Sequence, residues 1–316
     1  MFPGSDLWPI GDAWNYRAGR GQFGNIKVYT AAQDARYGKS NNAEEFALRS
    51  QAMTYEGERA MFEAYSRNKY TSTGVIQWML NNAWPGIIWH LYDWHLRPGG
   101  GFFGTQRACE PVHLQYSYDD RSVVVVNAIY REVKGLKARA RMFDVSMKEL
   151  FNEEKTVDVP ADGVVKVLTI PEPKGVSGVY FVRLDLAGEG LDVLPGGAPK
   201  PNFYWLSTKT DTLNWVASTW FYTPTSSYAD FTGLNIVASD TVAGNLTLRL
   251  KDVPWDQALD LIMQTKGLDK RSNGNVIWVA PKEELLTKEK LEFESKAAVA
   301  DLEPLVTEYI PLSYMR

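Results

Sequence analysis

A helical hydrophobic period marks the first part of the chain. Between residues 42 and 68 the apolar side chains fall close to one helical face, and charged side chains such as Arg49 and Glu56 fall elsewhere. Asn42, followed three positions later by Glu45, resembles a capping box, which starts helices. We therefore predict a long amphipathic helix over 42–68.

A short apolar run follows this helix. Residues 74–80 read Gly-Val-Ile-Gln-Trp-Met-Leu and are nearly continuous in apolar character. Such a run is typical of a strand buried on both faces, as in a parallel sheet or a barrel. A helix followed by a buried strand is half of a βα repeat, but one helix and one strand cannot close a barrel.

Residues 111–224 change to a period of two. Apolar residues alternate with Lys and Arg over 136–142, and a second alternation covers 180–186. We predict strands at 112–118, 121–130, 135–143, 163–170 and 178–187. One buried and one solvated face per strand indicates an antiparallel β-sandwich of immunoglobulin type.

The last part of the chain mixes both kinds of pattern. It predicts strands at 236–238 and 246–250, a helix at 254–266, a tight hairpin at Asn273-Gly274, a solvated linker helix at 282–298 and a strand-like segment at 306–312. The fold class expected for the whole chain is therefore mixed.

Composition narrows the function classes. The 316 residues suggest two or three domains, and a net charge of −4 argues against a nucleic-acid partner. The single cysteine, Cys109, excludes an internal disulfide and a cysteine-rich zinc site, and the three histidines match no common zinc spacing. We expect no metal and no cofactor.

Targeting signals are also missing from the sequence pattern. No apolar run approaches the roughly 18 residues of a membrane helix, so no membrane-spanning segment is expected. Residues 1–6 lack the basic and apolar regions of a signal peptide, so this chain, made alone, is expected in the cytoplasm.

Three further features have structural explanations. Residues 19–24 match the dinucleotide-binding fingerprint literally, but they follow no hydrophobic strand and open no helix, so we predict a loop. Glu56, Glu58 and Glu63 are expected on a solvated or structural helix face. The histidines are expected to be structural or to lie in a polar cleft.

Tryptophan and amide side chains cluster after the predicted buried strand. Six of the 11 tryptophans lie within the first 94 residues, which suits either stacking on sugar rings or a large aromatic core. Asn81, Asn82 and Trp84 follow Trp78 directly. Amide side chains can form hydrogen bonds with sugar hydroxyls, and an indole can pack against the face of the sugar ring. In a βα barrel, the substrate binds at this end of the strand.

Several longer stretches resemble a known family. They include Gln-Tyr-Ser-Tyr-Asp-Asp-Arg-Ser at 115–122 and Asn-Phe-Tyr-Trp-Leu-Ser at 202–207, together with 6–10, 55–64, 67–70, 74–85, 88–93 and 110–111. Through them, residues 1–231 resemble the C-terminal part of glycoside hydrolase family 2, in its exo-β-D-glucosaminidase and β-mannosidase branch.

This resemblance implies a fold and a site. Residues 1–110 become the C-terminal remnant of a (β/α)8 TIM barrel with 74–80 as its eighth strand, and 111–228 become an immunoglobulin-like β-sandwich. It also implies that Trp78, Asn81, Asn82 and Trp84 bind a β-linked glucosamine or mannose saccharide.

The resemblance carries no catalytic residue into this chain. The family retains configuration and needs two carboxylates about 5 Å apart. By resemblance, these follow the fourth and seventh barrel strands, upstream of Met1. The expected catalytic residues are therefore none, and the chain is expected to be inactive.

The C-terminal part resembles an unrelated family. The stretches 234–240, 244–245, 248–250, 253–260, 267–268, 275–281 and 307–310 carry this likeness. Residues 229–316 resemble the short N-terminal periplasmic domain of a type IV pilus secretin. The resemblance implies a truncated domain at 229–281 that keeps only a helix tail at 229–233, followed at 282–316 by a linker helix and the start of the next ring domain.

Three functions are compatible with these patterns. The first is an exo-acting glycosidase, and the second is a secretin module that assembles with ring subunits in outer-membrane secretion and pilus assembly. Both families act outside the cytoplasm. The third, which we favour, is an inert chimera joined at 229–235, where both family patterns overlap. It predicts that Val75, Ile76, Trp78 and Leu80 are exposed to water.

Overall fold

The computed structural model describes residues 4–19, 23–87, 90–176, 178–194, 197–238, 268–273 and 276–281. The chain separates into two compact units, Met1–Leu234 and Asn235–Arg316. Each unit is described by itself.

The first unit begins with helices, which we call the helical region. They are α1 (Asp12–Ala18), α2 (Lys27–Tyr37), α3 (Ala43–Arg67) and α4 (Gly100–Ala108). The predicted long helix is confirmed as α3, and Asn42 Oδ1 accepts a hydrogen bond from the Glu45 main-chain N–H at 2.8 Å. The Glu45 carboxylate accepts from the main-chain N–H of Asn41, so a cap-and-acid pair begins the helix as expected.

Two glycines allow α4 to lie directly against α3. A Cβ on Gly100 would fall 2.1 Å from the Gln51 carbonyl oxygen, and one on Gly104 would fall 2.3 Å from the Tyr55 carbonyl oxygen. Any larger residue at either position would push the two helix backbones apart.

Two antiparallel sheets follow, which we call the β region. The first has the order β1 (Val112–Tyr116), β2 (Ser122–Asn127), β5 (Val164–Thr169), and the second has the order β4 (Glu149–Val159), β3 (Val133–Asp144), β6 (Val179–Ala187), β7 (Asn202–Ser207). Buried side chains from both sheets form one cluster. The predicted alternation on β3 is confirmed, because Leu136, Ala138, Ala140 and Met142 are all buried.

The predicted strand at 74–80 is wrong. This segment belongs to no strand of the described structure, and only an isolated bridge joins Asn81 to Tyr92. A buried parallel strand needs hydrogen-bonded neighbours on both sides. Here the described neighbours reach only its end, where Leu91 and Tyr92 donate to the carbonyl oxygen of Leu80 at 3.1 and 2.9 Å. The chimera hypothesis predicts that four side chains of this segment are exposed to water. Ile76, Trp78 and Leu80 are exposed, whereas Val75 is half-buried.

The end of the first unit also differs from the prediction. After a small hairpin of β8 (Thr212–Leu213) and β9 (Thr225–Ser227), residues 229–233 form no helix. Instead, the Phe231 N–H donates to the Arg36 carbonyl oxygen at 2.6 Å. The Ala229 N–H donates to Asp211 Oδ1 at 2.9 Å. Ala229 and Phe231 are buried with Val179 of β6, so this segment completes the core of the first unit.

The second unit contains a small three-stranded sheet in its described part. β10 (Asn235–Ala238) runs parallel to β12 (Val276–Pro281), which pairs antiparallel with β11 (Leu268–Asn273). The predicted strand at 236–238 is confirmed, and β11 and β12 form the arms of the predicted hairpin. The predictions at 246–250, 254–266, 282–298 and 306–312 lie outside the described residues.

Candidate functional site

The segment after residue 77 is held in place by the helical region. Arg17 at the end of α1 donates from Nη1 to the carbonyl oxygen of Pro85 at 3.1 Å, and its own carbonyl oxygen accepts from the Ile87 N–H at 3.1 Å. The bonds from Leu91 and Tyr92 to Leu80 fix the other end. Residues 78–87 therefore form a loop tied at both ends, which we call the aromatic loop.

The four residues predicted to bind sugar all lie on the aromatic loop. The side chains of Trp78 and Trp84 are 70% and 42% exposed, and Asn81 is also exposed. Trp84 packs edge-to-face against Tyr16 of α1, with ring centroids 5.6 Å apart. This contact leaves part of the Trp84 indole open to solvent and limits its rotation.

Asn82 has a different position from the other three. It is buried, and its Nδ2 lies 2.6 Å from His90 Nδ1. A Cβ on Gly86 would approach Asn82 Nδ2 to 3.1 Å, so the glycine gives the amide its space. The geometry makes Asn82 a support for the aromatic loop, and Trp78, Asn81 and Trp84 its accessible surface.

A wide, open cavity of about 1550 Å³ adjoins the aromatic loop. Its lining includes Gln77, Trp78 and His90, together with residues of α2 and α3, among them Arg36 and Glu56. Burial raises the pKa of Glu56 to about 7, although Arg59 and Arg36 oppose this rise. The cavity therefore carries a carboxyl group that titrates near neutral pH.

Sequence reasoning missed the most buried polar cluster of the protein's described part. Glu63 of α3 is 1% exposed, and its Oε1 accepts from the Tyr204 hydroxyl and from Asn202 Nδ2, each at 2.8 Å. Arg59 donates to Asn202 Oδ1 at 3.1 Å and to the Phe203 carbonyl oxygen at 2.6 Å. Glu63 thus has the structural role that was one of its two expected alternatives.

His113 belongs to the same cluster and is buried on β1. Burial alone would lower its pKa, but hydrogen bonds with Glu110 and Glu63 outweigh burial and raise the pKa above its usual value. No short motif joins these residues. The only signal in the sequence is that Glu63 and Asn202 fall within two of the stretches that carry the family resemblance.

Among the described residues, no group of three or more His, Cys, Asp or Glu side chains is placed to hold a metal ion. No helix in the same part of the chain has both the length and the apolar character needed to cross a membrane.

Comparison with known proteins assigns the first unit to a class. The chain is 39% identical over 244 residues to the exo-β-D-glucosaminidase of Amycolatopsis orientalis, an alignment covering 75% of this chain and 23% of that protein. The crystal structure of the exo-chitosanase CsxA from the same organism superposes with a TM-score of 0.65 at 36% identity, covering 74% of this chain and 28% of that one. The first unit is therefore similar to exo-β-D-glucosaminidases of glycoside hydrolase family 2.

The second unit is similar to a different kind of protein. Residues 234–282 match the family model "Secretin and TonB N terminus short domain". The chain is also 58% identical over 88 residues to the fimbrial assembly protein PilQ of Pseudomonas aeruginosa, covering 28% of this chain and 12% of PilQ. The chain therefore contains two regions with different relatives. The glucosaminidase-like region spans about a quarter of the length of the Amycolatopsis enzyme, and the PilQ-like region spans about an eighth of the length of PilQ.

Proposed function

We propose that the first unit supplies one wall of a binding site for β-linked glucosamine. In this proposal, residues 1–110 correspond to the end of a (β/α)8 barrel, and residues 111–228 to an immunoglobulin-like sandwich. The sheet orders β1-β2-β5 and β4-β3-β6-β7 support the second assignment, because such a sandwich divides its strands in this way. The helical region then presents the aromatic loop, and the β region supports it.

The exposed indoles of the aromatic loop carry the proposal. A flat indole face packs on the apolar face of a pyranose ring, and an ammonium group on the sugar gains a further attraction to the ring. The exposed Asn81 amide can both donate to and accept from sugar hydroxyls. Because Asn82 is bonded to His90, these groups stay on a fixed loop.

Binding without hydrolysis is the expected behaviour of this chain by itself. Retaining hydrolysis needs an acid and a nucleophile about 5 Å apart across the scissile bond. Glu63, a carboxylate of α3, is enclosed by Tyr204, Asn202 and His113 and cannot reach a saccharide. We therefore assign Trp78, Asn81 and Trp84 to binding, with the buried Asn82 as their support, and assign no catalytic residue.

A titration of the full chain tests this proposal. p-Nitrophenyl-β-D-glucosaminide added to the full chain should bind weakly, with a dissociation constant on the order of 1 mM, and quench tryptophan fluorescence. Trp84→Ala and Trp78→Ala should each weaken binding several-fold. Trp215→Ala is the matched control, because its indole is 71% exposed and lies away from the aromatic loop in sequence. Equal loss of binding in all three variants would contradict the assignment.

The same reagent also tests activity. p-Nitrophenol release by the full chain should not exceed that of a heat-denatured control. Faster release would overturn the binding-only role. The p-nitrophenyl β-mannoside is the comparison substrate, since it separates a glucosamine site from a mannose site.

A secretin module is the second candidate function, and the PilQ likeness of the second unit favours it. We propose that residues 229–281 correspond to a truncated short N-terminal domain, and 282–316 to a linker and the start of the next ring domain. Its partners would then be other secretin ring subunits. Sedimentation of the full chain at micromolar concentration tests this role, because ring formation requires a multi-subunit species and a monomer at all concentrations would exclude it.

We further propose that the two regions come from separate genes. The shares of the chain matched by the glucosaminidase and by PilQ together exceed the whole chain, so the two matches overlap. We place the overlap near residues 229–235, where the first unit has just completed its core with Phe231. Amplification across codons 225–240 from the source DNA should fail, and a single continuous product would contradict this origin.

A further inference from the structure

His113 lies between two carboxylates, one from each side of its ring. Its Nε2 is 2.8 Å from Glu63 Oε1, and its Nδ1 is 3.3 Å from Glu110 Oε2. Neutral imidazole has one N–H donor and one acceptor nitrogen, so it can satisfy only one of these oxygens. The imidazolium ion has two N–H donors and satisfies both.

The surroundings of Glu63 place the shared proton on the histidine. Glu63 Oε1 already accepts from Tyr204 and Asn202, so it faces His113 as a hydrogen-bond acceptor. Asn202 Nδ2 also lies 3.3 Å from His113 Nε2, but it has nearer acceptors in Glu63 Oε1 at 2.8 Å and Tyr204 Oη at 2.6 Å. The histidine nitrogen is therefore free to donate.

The second carboxylate is paired with a cation through its other oxygen. Arg107 at the end of α4 donates to Glu110 Oε1 at 2.7 Å, which leaves Oε2 for His113. The charged and titratable groups around His113 are thus Glu63 and Arg59 on α3, Arg107 at the end of α4, Glu110 after it, and Tyr204 on β7. The imidazolium lies among two anions and two other cations.

We propose that His113 is a protonated latch that fastens the helical region to the β region at neutral pH. Strand β1 carries the ring, α3 carries one carboxylate, and the segment between α4 and β1 carries the other, so the protonated ring bonds the strand both to α3 and to the segment that leads into it. Loss of the proton leaves a ring lone pair facing one of the two carboxylates. The stabilising contact that His113 makes between the helical region and the β region is therefore lost as pH rises.

The sign of the pH dependence follows from the raised pKa of His113. In the unfolded chain a histidine loses its proton near pH 6.5. In the folded protein His113 keeps its proton to a higher pH. The stabilisation is complete below about pH 6.5 and is lost as pH rises through the raised pKa.

Nitrogen NMR of the histidine rings in the full chain tests the latch. At pH 7.5 His113 should give the signals of a ring protonated on both nitrogens, with a titration midpoint above the usual histidine value near 6.5. Glu110→Gln should lower the His113 midpoint by at least half a unit. Glu44→Gln, an exposed carboxylate on α3, is the matched control and should leave it unchanged.

The effect of His113 protonation on the stability of the chain is measured by thermal unfolding. The thermal midpoint of the full chain should fall between pH 7 and pH 9.5, and this fall should be smaller in Glu110→Gln, which keeps the buried residues intact. A neutral His113 ring at pH 7.5, or an unchanged midpoint in Glu110→Gln, would overturn the proposal. A fall of equal size in wild type and Glu110→Gln would overturn the role in fastening the two regions.

Discussion

Residues 74–80 and strand β6 are both rich in apolar residues but lie in opposite environments. In β6, Tyr180, Val182 and Leu184 are buried between β3 and β7, where a ladder runs on both sides. In 74–80, Ile76 is 92% exposed and the segment belongs to no ladder of the described residues. Both segments are apolar enough for a sheet. An apolar pattern therefore shows which side chains can be buried. Whether they are buried depends on the presence of hydrogen-bonded neighbouring strands.

The end of the first unit gives the largest expected effect. Phe231→Ala removes a ring that is 2% exposed and packs with Ala229 and Val179, so it should destabilise the first unit by about 3–5 kcal/mol. Val216→Ala is the matched control, because Val216 is fully exposed. Urea unfolding measures both. If Phe231→Ala behaves like Val216→Ala, residues 229–234 are not part of the core.

A pair of substitutions compares the two apolar segments directly. Leu136→Ala on β3 should cost about 2–5 kcal/mol, because Leu136 is fully buried in the shared core. Ile76→Ala should change the free energy of unfolding by less than about 0.5 kcal/mol, because its side chain is already in water. Comparable costs would mean that residue 76 is buried in solution, for example by self-association.

Glu56 offers a smaller, pH-dependent test within the helical region. Burial raises its pKa to about 7, so the folded protein binds this proton more tightly than the unfolded chain. The associated stability is complete below the usual carboxyl pKa and is lost as pH rises through about 7. Glu56→Gln should therefore stabilise the protein by about 1–3 kcal/mol at pH 8 and have little effect at pH 4. The exposed Glu44→Gln should show no such pH dependence.

The helix cap gives the smallest expected effect. Asn42→Ala removes the acceptor for the Glu45 N–H and should cost about 1 kcal/mol. Asn42→Ser keeps a capping oxygen and should cost much less. Equal costs for the two variants would show that the cap bond does not stabilise α3.

Local patterns were sufficient to predict the elements whose partners lie close in sequence or whose faces differ strongly. Helix α3 has a cap and a 3.6-residue period, and β3 and β6 alternate cleanly, so all three were predicted. Strand β4 was missed because it is an edge strand with mostly polar side chains, which need no apolar pattern. Helices α1, α2 and α4 were missed as well, and α4 begins with glycines that normally disfavour a helix.

The candidate site shows a similar limit. The residues of the aromatic loop are consecutive in sequence, so composition and spacing could single them out. The cluster of Glu63, His113 and Asn202 joins positions up to 139 residues apart, and no local pattern can reveal it. Long-range polar contacts of this kind depend on the packing of α3 against the sheets.

Hydrogen exchange of the full chain, resolved by peptide, tests the central comparison most directly. We expect the amides of Val75, Ile76 and Leu80 to exchange within seconds, whereas the amides of β3 and β6 in the shared core should stay protected for minutes to hours. Equal protection of residues 74–80 and β6 would contradict it, because such protection requires strand neighbours that the first unit, as described, does not provide.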